Sequence, residues 1–261
     1  MLIMRPVWVG IVAAGLSSSL YAAENIAICE DGAEWPPFHY IKRDGGQKVP
    51  GVSEGYSIDV INKILQGSQF NYSKVDFIPW KRCLQQLLKG KYDLVMNASY
   101  NAERAANFLY TKAYYEMRPA YFYSLKKHPN GLEGVTSGAA LSRYKICGLA
   151  GYNYKEFNVD LSQLDTGSKN FASVAKKVRA GRCDAFIARI EALAGFKAIG
   201  QDFLEGDIGY KPIPGAQANE FYMIISKKSK NAKALQEKID QGIDKLKADG
   251  ELKILLDKYL K

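Results

Sequence analysis

The stretch Pro79–Tyr115 reads PWKRCLQQLLKGKYDLVMNASYNAERAANFLYTKAYY. Trp80, Leu84, Leu87 and Leu88 recur at helical spacing and predict a helix with one apolar face. Gly90 stands where a helix C-cap glycine belongs, with Lys89 and Lys91 at the negative end of the helix dipole. Tyr92–Met96 is a short apolar run of the kind that forms a buried parallel strand. Asn97, Ser99 and Arg104 follow it. In open α/β sheets, ligands bind outside the carboxyl ends of the strands, so these polar residues fall where a ligand would sit.

Working outward, Asn25–Cys29 reads as a short strand that enters the loop EDGAEWPPFHY. Trp35 follows that strand and is expected to face a ligand; core packing is the plain alternative for each aromatic of the loop. Ser57 is a candidate N-cap for a helix with Ile58, Ile61 and Leu65 on one face, ended by Gly67. Asp59 sits in its first turn, where a carboxylate suits the dipole. Tyr72–Ile78 and Pro119–Leu125 read as strands, and His128-Pro129-Asn130-Gly131 as a turn. Tyr144–Leu149 then starts a second copy of the design. A helix over 170–180 carries Phe171, Val174 and Val178 on one face. Its end, Ala180-Gly181-Arg182-Cys183-Asp184, repeats the order of Lys89-Gly90-Lys91-Tyr92-Asp93 before another apolar strand. Ile208–Ile213 and Phe221–Ser226 are further strands. Ser229 is expected to cap a helix bearing Leu235, Ile239, Ile243 and Leu246, and Leu252, Leu255, Leu256 and Tyr259 form a last amphipathic segment, which is placed on the first half of the protein. The pattern predicts an α/β protein with two Rossmann-like lobes.

Composition narrows the class. The chain has 261 residues, 47% hydrophobic and 24% charged, within the range of soluble globular proteins. In residues 1–23, Arg5 is the single charged residue, Val7–Leu20 is apolar and Tyr21-Ala22-Ala23 offers a small-residue cleavage site. This is the layout of a secretory signal peptide, and the apolar run is shorter than the ~20 residues a spanning helix needs. Ile28 before Cys29 argues against lipidation there. The net charge of +9 comes from dispersed lysines, which favours a solvated surface with a mild preference for anions and gives no nucleic-acid footprint. Four cysteines in an exported chain favour disulfides over zinc, since no CxxC spacing occurs and His39 and His128 lie far apart.

A guanidinium at Arg104 can take a carboxylate through two parallel hydrogen bonds; its plain alternative is a surface ion pair with Glu103 or Glu116. Asn97 and Ser99 can serve a neighbouring ammonium group. Tyr152 and Asn153 are expected to open a helix-like turn on the other lobe, where free N–H groups favour an anion. Together these residues describe a zwitterion site between two lobes.

The segments EWPPFHY, GYSIDVINKI, LLKGKYDLVMNASYNAERAANFLYTKAYY, YKICGLAGYNY, GRCDAFIARIEA and EFYMIISKKS occur in an order that resembles the family 3 periplasmic solute-binding proteins, which deliver polar amino acids to ABC importers. The resemblance implies two lobes of the periplasmic binding protein type II kind, joined by crossing strands near Tyr121–Leu125 and Phe221–Ser226, with the ligand cleft between them. Residues 24–120 with 222–261 would form lobe 1 and 121–221 lobe 2. It implies that Arg104 holds the ligand's α-carboxylate, and that the partners are a small polar or anionic solute and an ABC permease, with the protein monomeric in the periplasm and no cofactor or metal. Within that architecture the pairs Cys29–Cys83 and Cys147–Cys183 each stay in one lobe and are the expected disulfides. Candidate ligand-binding residues are Trp35, Trp80, Asn97, Ser99, Arg104, Tyr152, Asn153, Arg189 and Glu191.

Three departures bear on the ligand. The family's threonine before the arginine is Asn101, and its Ser-x-Pro-Tyr is Thr111-Lys112-Ala113-Tyr114. The usual amine-binding aspartate is replaced by Arg189, with Glu191 two residues on. An arginine there repels an ammonium, so either Glu191 substitutes or the solute is a dicarboxylate or another anion. Two rivals share the resemblance. A cyclohexadienyl-dehydratase-like enzyme needs a carboxylic acid in the cleft, for which Glu34 and Glu191 are the candidates. A sensor ectodomain needs a membrane segment beyond Lys261.

Overall fold

A computed structural model describes residues 24–160 and 162–260; the expected signal peptide lies outside the described residues. Two five-stranded sheets organise the chain. The first runs Val75–Ile78, Ile28–Asp31, Leu94–Ser99, Asn219–Ser226, Phe108–Met117. The second runs Asp165–Ser168, Ile146–Leu149, Ala185–Arg189, Pro119–Ser124, Ile208–Pro212. In each sheet the first three strands are parallel and the fourth is antiparallel to both neighbours. The chain crosses between sheets at Arg118 and returns over residues 213–218, so Tyr121–Leu125 and Phe221–Ser226 hold the paired segments beyond each crossing.

The duplicated design seen in the sequence has one physical basis. Gly90 and Gly181 take positive φ of 76° and 69°, a conformation that L side chains avoid. Each closes its helix in the same way, with Gly90 N–H on Leu87 O and Lys91 N–H on Gln86 O, and Gly181 N–H on Val178 O and Arg182 N–H on Lys177 O. This paired pattern satisfies carbonyls that the helix end leaves free. The aspartate two residues after each basic residue then clamps the neighbouring strand. Asp93 Oδ2 accepts Ala27 N–H at 2.8 Å while Asp93 N–H donates to Ala27 O. Asp184 does the same with Lys145, its Oδ2 accepting at 2.9 Å. Both apolar strands are thereby set in register beside the strand that opens their half of the repeat.

Helices cover the first sheet on both faces. Helix Tyr56–Leu65 and helix Ala232–Ala248 bury Ile61, Ile64, Leu235, Ile239 and Ile243 against Leu94, Met96, Met223 and Ile225. The last helix, Glu251–Leu260, adds Leu255 to that core, where its apolar side was expected. On the other face, helix Trp80–Leu88 buries Cys83 and Leu87, whereas Leu88 is 44% exposed; the stripe is centred on the disulfide and not on Leu88. Both disulfides form as expected, Cys29–Cys83 and Cys147–Cys183, with Cα separations of 5.9 and 6.0 Å.

Three local readings change. The helix expected to start at Ser57 has Gly55 at its N-cap, and Ser57 is buried within its first turn. Helix Ala232–Ala248 is preceded by Asn231 rather than capped by Ser229. Strand Leu94–Ser99 extends past Met96, so Asn97 and Ser99 belong to the strand and are buried, not displayed in a loop.

Asp93→Ala should lower stability by ~1–3 kcal/mol, the range for a lost partner of a half-buried N–H, and Asp184→Ala, whose Lys145 N–H is exposed, by ~0.5–1.5 kcal/mol. Urea unfolding curves check this, with Lys91→Ala, a surface change of under ~0.5 kcal/mol, as the reference.

Candidate functional site

Between the sheets lies a cavity of about 360 Å³, within the range of small-molecule sites. Eight of the nine candidate ligand-binding residues line it: Trp35, Trp80, Asn97, Ser99 and Arg104 from the first lobe, and Tyr152, Asn153 and Arg189 from the second. Glu191 does not line it. Its carboxylate takes the Arg118 N–H at 2.9 Å and Arg118 Nε at 2.8 Å, at the first crossing between sheets. It therefore stands at the crossing between the sheets, and the structure does not support it as a substitute for an amine-binding aspartate.

Arg104 is positioned by its own short helix. Asn101 caps helix Ala102–Asn107 by accepting the Arg104 N–H at 3.0 Å, which turns the side chain back over the end of strand Leu94–Ser99. There Arg104 Nη1 donates to Ser99 O at 3.2 Å and the guanidinium lies 5.4 Å from the Trp80 ring centroid. Among the described residues no carboxylate pairs with Arg104, Glu103 and Glu116 included. Burial lowers its pKa; Tyr110 offsets this, and the nearby Arg189 lowers it further.

Arg189 ends strand Ala185–Arg189 and is 2% exposed. Its Nε donates to Asn219 Oδ1 at 3.1 Å and its Nη2 to Asn153 O at 3.4 Å. The rings of Tyr152, Phe157 and Phe221 each stand 4.9 Å from it, an arrangement that holds a cation away from water. The lobes meet where Asn153 Nδ2 donates to Ser99 Oγ and to Tyr100 O, both at 3.0 Å. Tyr152 and Asn153 sit in a turn before the short 3-10 segment Lys155–Phe157, not at a helix start. The helix whose N-terminus does meet the cavity is Phe171–Arg179, capped by Asn170, with Lys169, Asn170, Phe171 and Ala172 on the wall.

Under the first-lobe side lies a polar layer that the sequence reading passed over. Asn97 Oδ1 accepts from Ser57 Oγ at 2.7 Å and Tyr115 OH at 2.8 Å, and its Nδ2 lies 3.0 Å from His39 Nδ1. Glu30 and His39 are 0% and 1% exposed. Burial pushes the Glu30 carboxyl up to about 8, against the Met96 N–H that its Oε1 accepts. Burial pushes His39 down to about 3. Both are thus neutral near pH 7, and their 3.5 Å approach is not an ion pair. Glu34 is the opposite case. Burial would raise it, but the Arg43 fork, the Ile41 N–H and Lys48 outweigh burial and hold it at about 2. Of the two carboxylates an enzymatic reading would use, Glu34 is ion-paired to Arg43 and Glu191 to Arg118.

Solved structures share this fold. Among solved structures, a substrate-binding protein of an amino acid ABC transporter from Streptococcus pneumoniae, bound to L-arginine, is 20% identical, covers 91% of this chain and 94% of its own, and superposes with a TM-score of 0.67. The arginine-, lysine-, histidine-binding protein ArtJ from Geobacillus stearothermophilus is 14% identical, with 90% and 95% covered and a TM-score of 0.70. An ancestral amino acid-binding protein described as a precursor of cyclohexadienyl dehydratase is 19% identical, with 91% and 95% covered and a TM-score of 0.65. No curated protein matches the sequence.

The neutral pair under the cavity gives stability a definite pH profile. Glu30 carries its proton in the folded state up to about 8, against an ordinary 4.5, so its contribution is full below 4.5 and lost as pH rises to 8. His39 stays neutral down to about 3, against an ordinary 6.5, so its contribution is lost as pH falls from 6.5 to 3. The two oppose one another between 4.5 and 6.5, and Glu30 acts alone above that. Thermal unfolding should therefore show stability falling by ~1–2 kcal/mol from pH 6.5 to 8, with the slope abolished in Glu30→Gln.

The family model for bacterial extracellular solute-binding proteins, family 3, matches residues 27–261, and the chain belongs to that family.

Proposed function

We propose that this protein captures a small polar or anionic solute, an amino acid or a related carboxylate, by closing its two lobes upon it, and presents it to an ABC importer in the inner membrane. On this reading residues 1–23 direct export to the periplasm and are removed, and the mature protein works as a monomer. Residues 24–120 with 222–261 form one moving body and 121–221 the other, turning about the crossings at Arg118 and 213–218. It binds and releases; it does not turn its solute over.

The observation that carries the reading is the state of Arg104. Its guanidinium lines the cavity, half-buried, at the carboxyl end of a buried strand, with a backbone carbonyl rather than a carboxylate as its partner. A fork so placed accepts a carboxylate in bidentate fashion. Trp80 supports the guanidinium from one side, and the Asn153 bridge to Ser99 and Tyr100 supplies a contact that exists when the lobes are together. Hinge closure of this kind is one of the standard routes by which two-lobed proteins enclose ligands. Micromolar binding corresponds to about −8 kcal/mol. A charge-assisted pair supplies ~1.5–3 kcal/mol of that net, and the rest comes from aromatic contact and from the interactions made on closure.

A thermal-shift screen of amino acids and carboxylates on the wild-type protein should find a stabilising solute. Arg104→Ala should abolish that stabilisation while moving the unliganded Tm by no more than ~3 °C, the effect of losing one part-buried hydrogen bond on a chain of this size. A variant that binds as well as the parent would remove Arg104 from the site and with it this assignment.

A further inference from the structure

We infer that the solute is an aryl-substituted carboxylic acid without an ammonium beside its carboxylate, and that Arg189 is the residue that turns α-amino acids away. This rests on the solute-capture reading above and narrows it.

Lys48, Arg104, Lys169 and Arg189 line the cavity from the basic side. Of the carboxylates on its wall, Glu34 is held by Arg43 and Lys48. Glu30 is fully buried and uncharged near neutral pH. Asp31 has Oδ1 engaged by the Ala33 N–H at 3.0 Å. The two guanidiniums flank a single junction, one from each lobe. Arg104 Nη1 meets Ser99 O, Ser99 Oγ accepts from Asn153 Nδ2, and Asn153 O accepts from Arg189 Nη2. A carboxylate bound by Arg104 when the lobes are together has a second cation nearby. An ammonium one carbon away from that carboxylate would meet the same cation and be repelled.

Arg189 has no room to retreat. Asn219 fixes its Nε, and three aromatic rings stand around its guanidinium at 4.9 Å. Its nearest carboxylate oxygen, Glu156 Oε2, lies 3.8 Å away and makes no hydrogen bond. The positive charge is therefore fixed in place and only loosely countered. The remainder of the wall is aromatic. Trp35 lies 6.1 Å from Phe171 with rings nearly parallel and 5.5 Å from Tyr152, and Phe171, Phe196 and Phe203 pack together behind them. Such a wall rewards a planar apolar body by burial and by offset stacking, which a short aliphatic diacid does not offer.

The decisive measurement is isothermal titration calorimetry on the exported protein with matched pairs that differ in the α-ammonium alone: 3-phenylpropanoate against L-phenylalanine, and indole-3-propanoate against L-tryptophan, with succinate as the diacid. The deaminated acid of each pair should bind at least 10-fold more tightly than its amino acid. Arg189→Gln should narrow that ratio to under 3-fold, and Arg189→Asp should reverse it. Should either variant fail to fold by circular dichroism, the wild-type ratio alone decides. An amino acid binding as well as its deaminated partner overturns the inference, as does an unchanged ratio in a folded Arg189→Gln protein. Succinate binding more tightly than both aryl acids overturns it too. In each case Arg104-dependent capture of whatever solute binds is left standing. Failure of every amino acid and carboxylate to bind the wild type overturns the capture reading as well.

Discussion

A guanidinium withdrawn from water must be answered by something negative, and at Arg104 the described residues supply no carboxylate. Desolvation disfavours any charged side chain, and the second cation at Arg189 adds to that cost. The fold tolerates the arrangement because the strand end offers one carbonyl, Ser99 O, and because Trp80 presents a ring face. These contacts hold the fork in place without neutralising it. On the proposed reading the remaining electrostatic demand is what a solute satisfies, and Ser99, at the end of a fully buried strand, sets where that demand is felt.

That strand end is placed by a device used twice. In each lobe a glycine with positive φ stops a helix, and an aspartate three residues on ties the next strand to its parallel neighbour by both its side chain and its backbone. The first copy delivers Ser99 and, through the Asn101 cap, Arg104. The second delivers Arg189. The two arginines confront one another because the same construction has been applied to both lobes and the crossings at Arg118 and 213–218 bring the two strand ends to one cavity.

This duplication was legible in the sequence because it rests on local chemistry: a helix-ending glycine, an aspartate, and an apolar run. The cavity wall was legible for a related reason, since polar residues after a buried strand have few other places to go. What escaped was what depends on direction rather than on spacing. Ser57 has the composition of a cap, yet its hydroxyl faces inward to Asn97 because Gly55 already starts the helix. Glu191 lies two residues beyond Arg189, and the start of helix Ile190–Gly195 turns it toward Arg118 instead of the cleft. Glu30 and His39 were passed over because a carboxyl inside a strand and a histidine in a loop usually read as exposed. The clue was available in the run ICED, where a carboxyl directly follows buried Ile28 and Cys29.

The polar layer and the arginines are connected through Asn97. Its carbonyl accepts from Ser57 and Tyr115, and its amide donates toward His39 Nδ1. That donation fixes the neutral imidazole with its proton on Nε2. A charged Glu30 would sit within reach of His39 and draw its proton to Nδ1, which would set two donors against one another and force Asn97 to turn. Asn97 lies in strand Leu94–Ser99, and Ser99 O, the carbonyl on which Arg104 rests, lies two residues further along. The buried acid and the cation are tied to one strand, Glu30 Oε1 accepting the Met96 N–H and, three residues on, Ser99 O accepting from Arg104 Nη1.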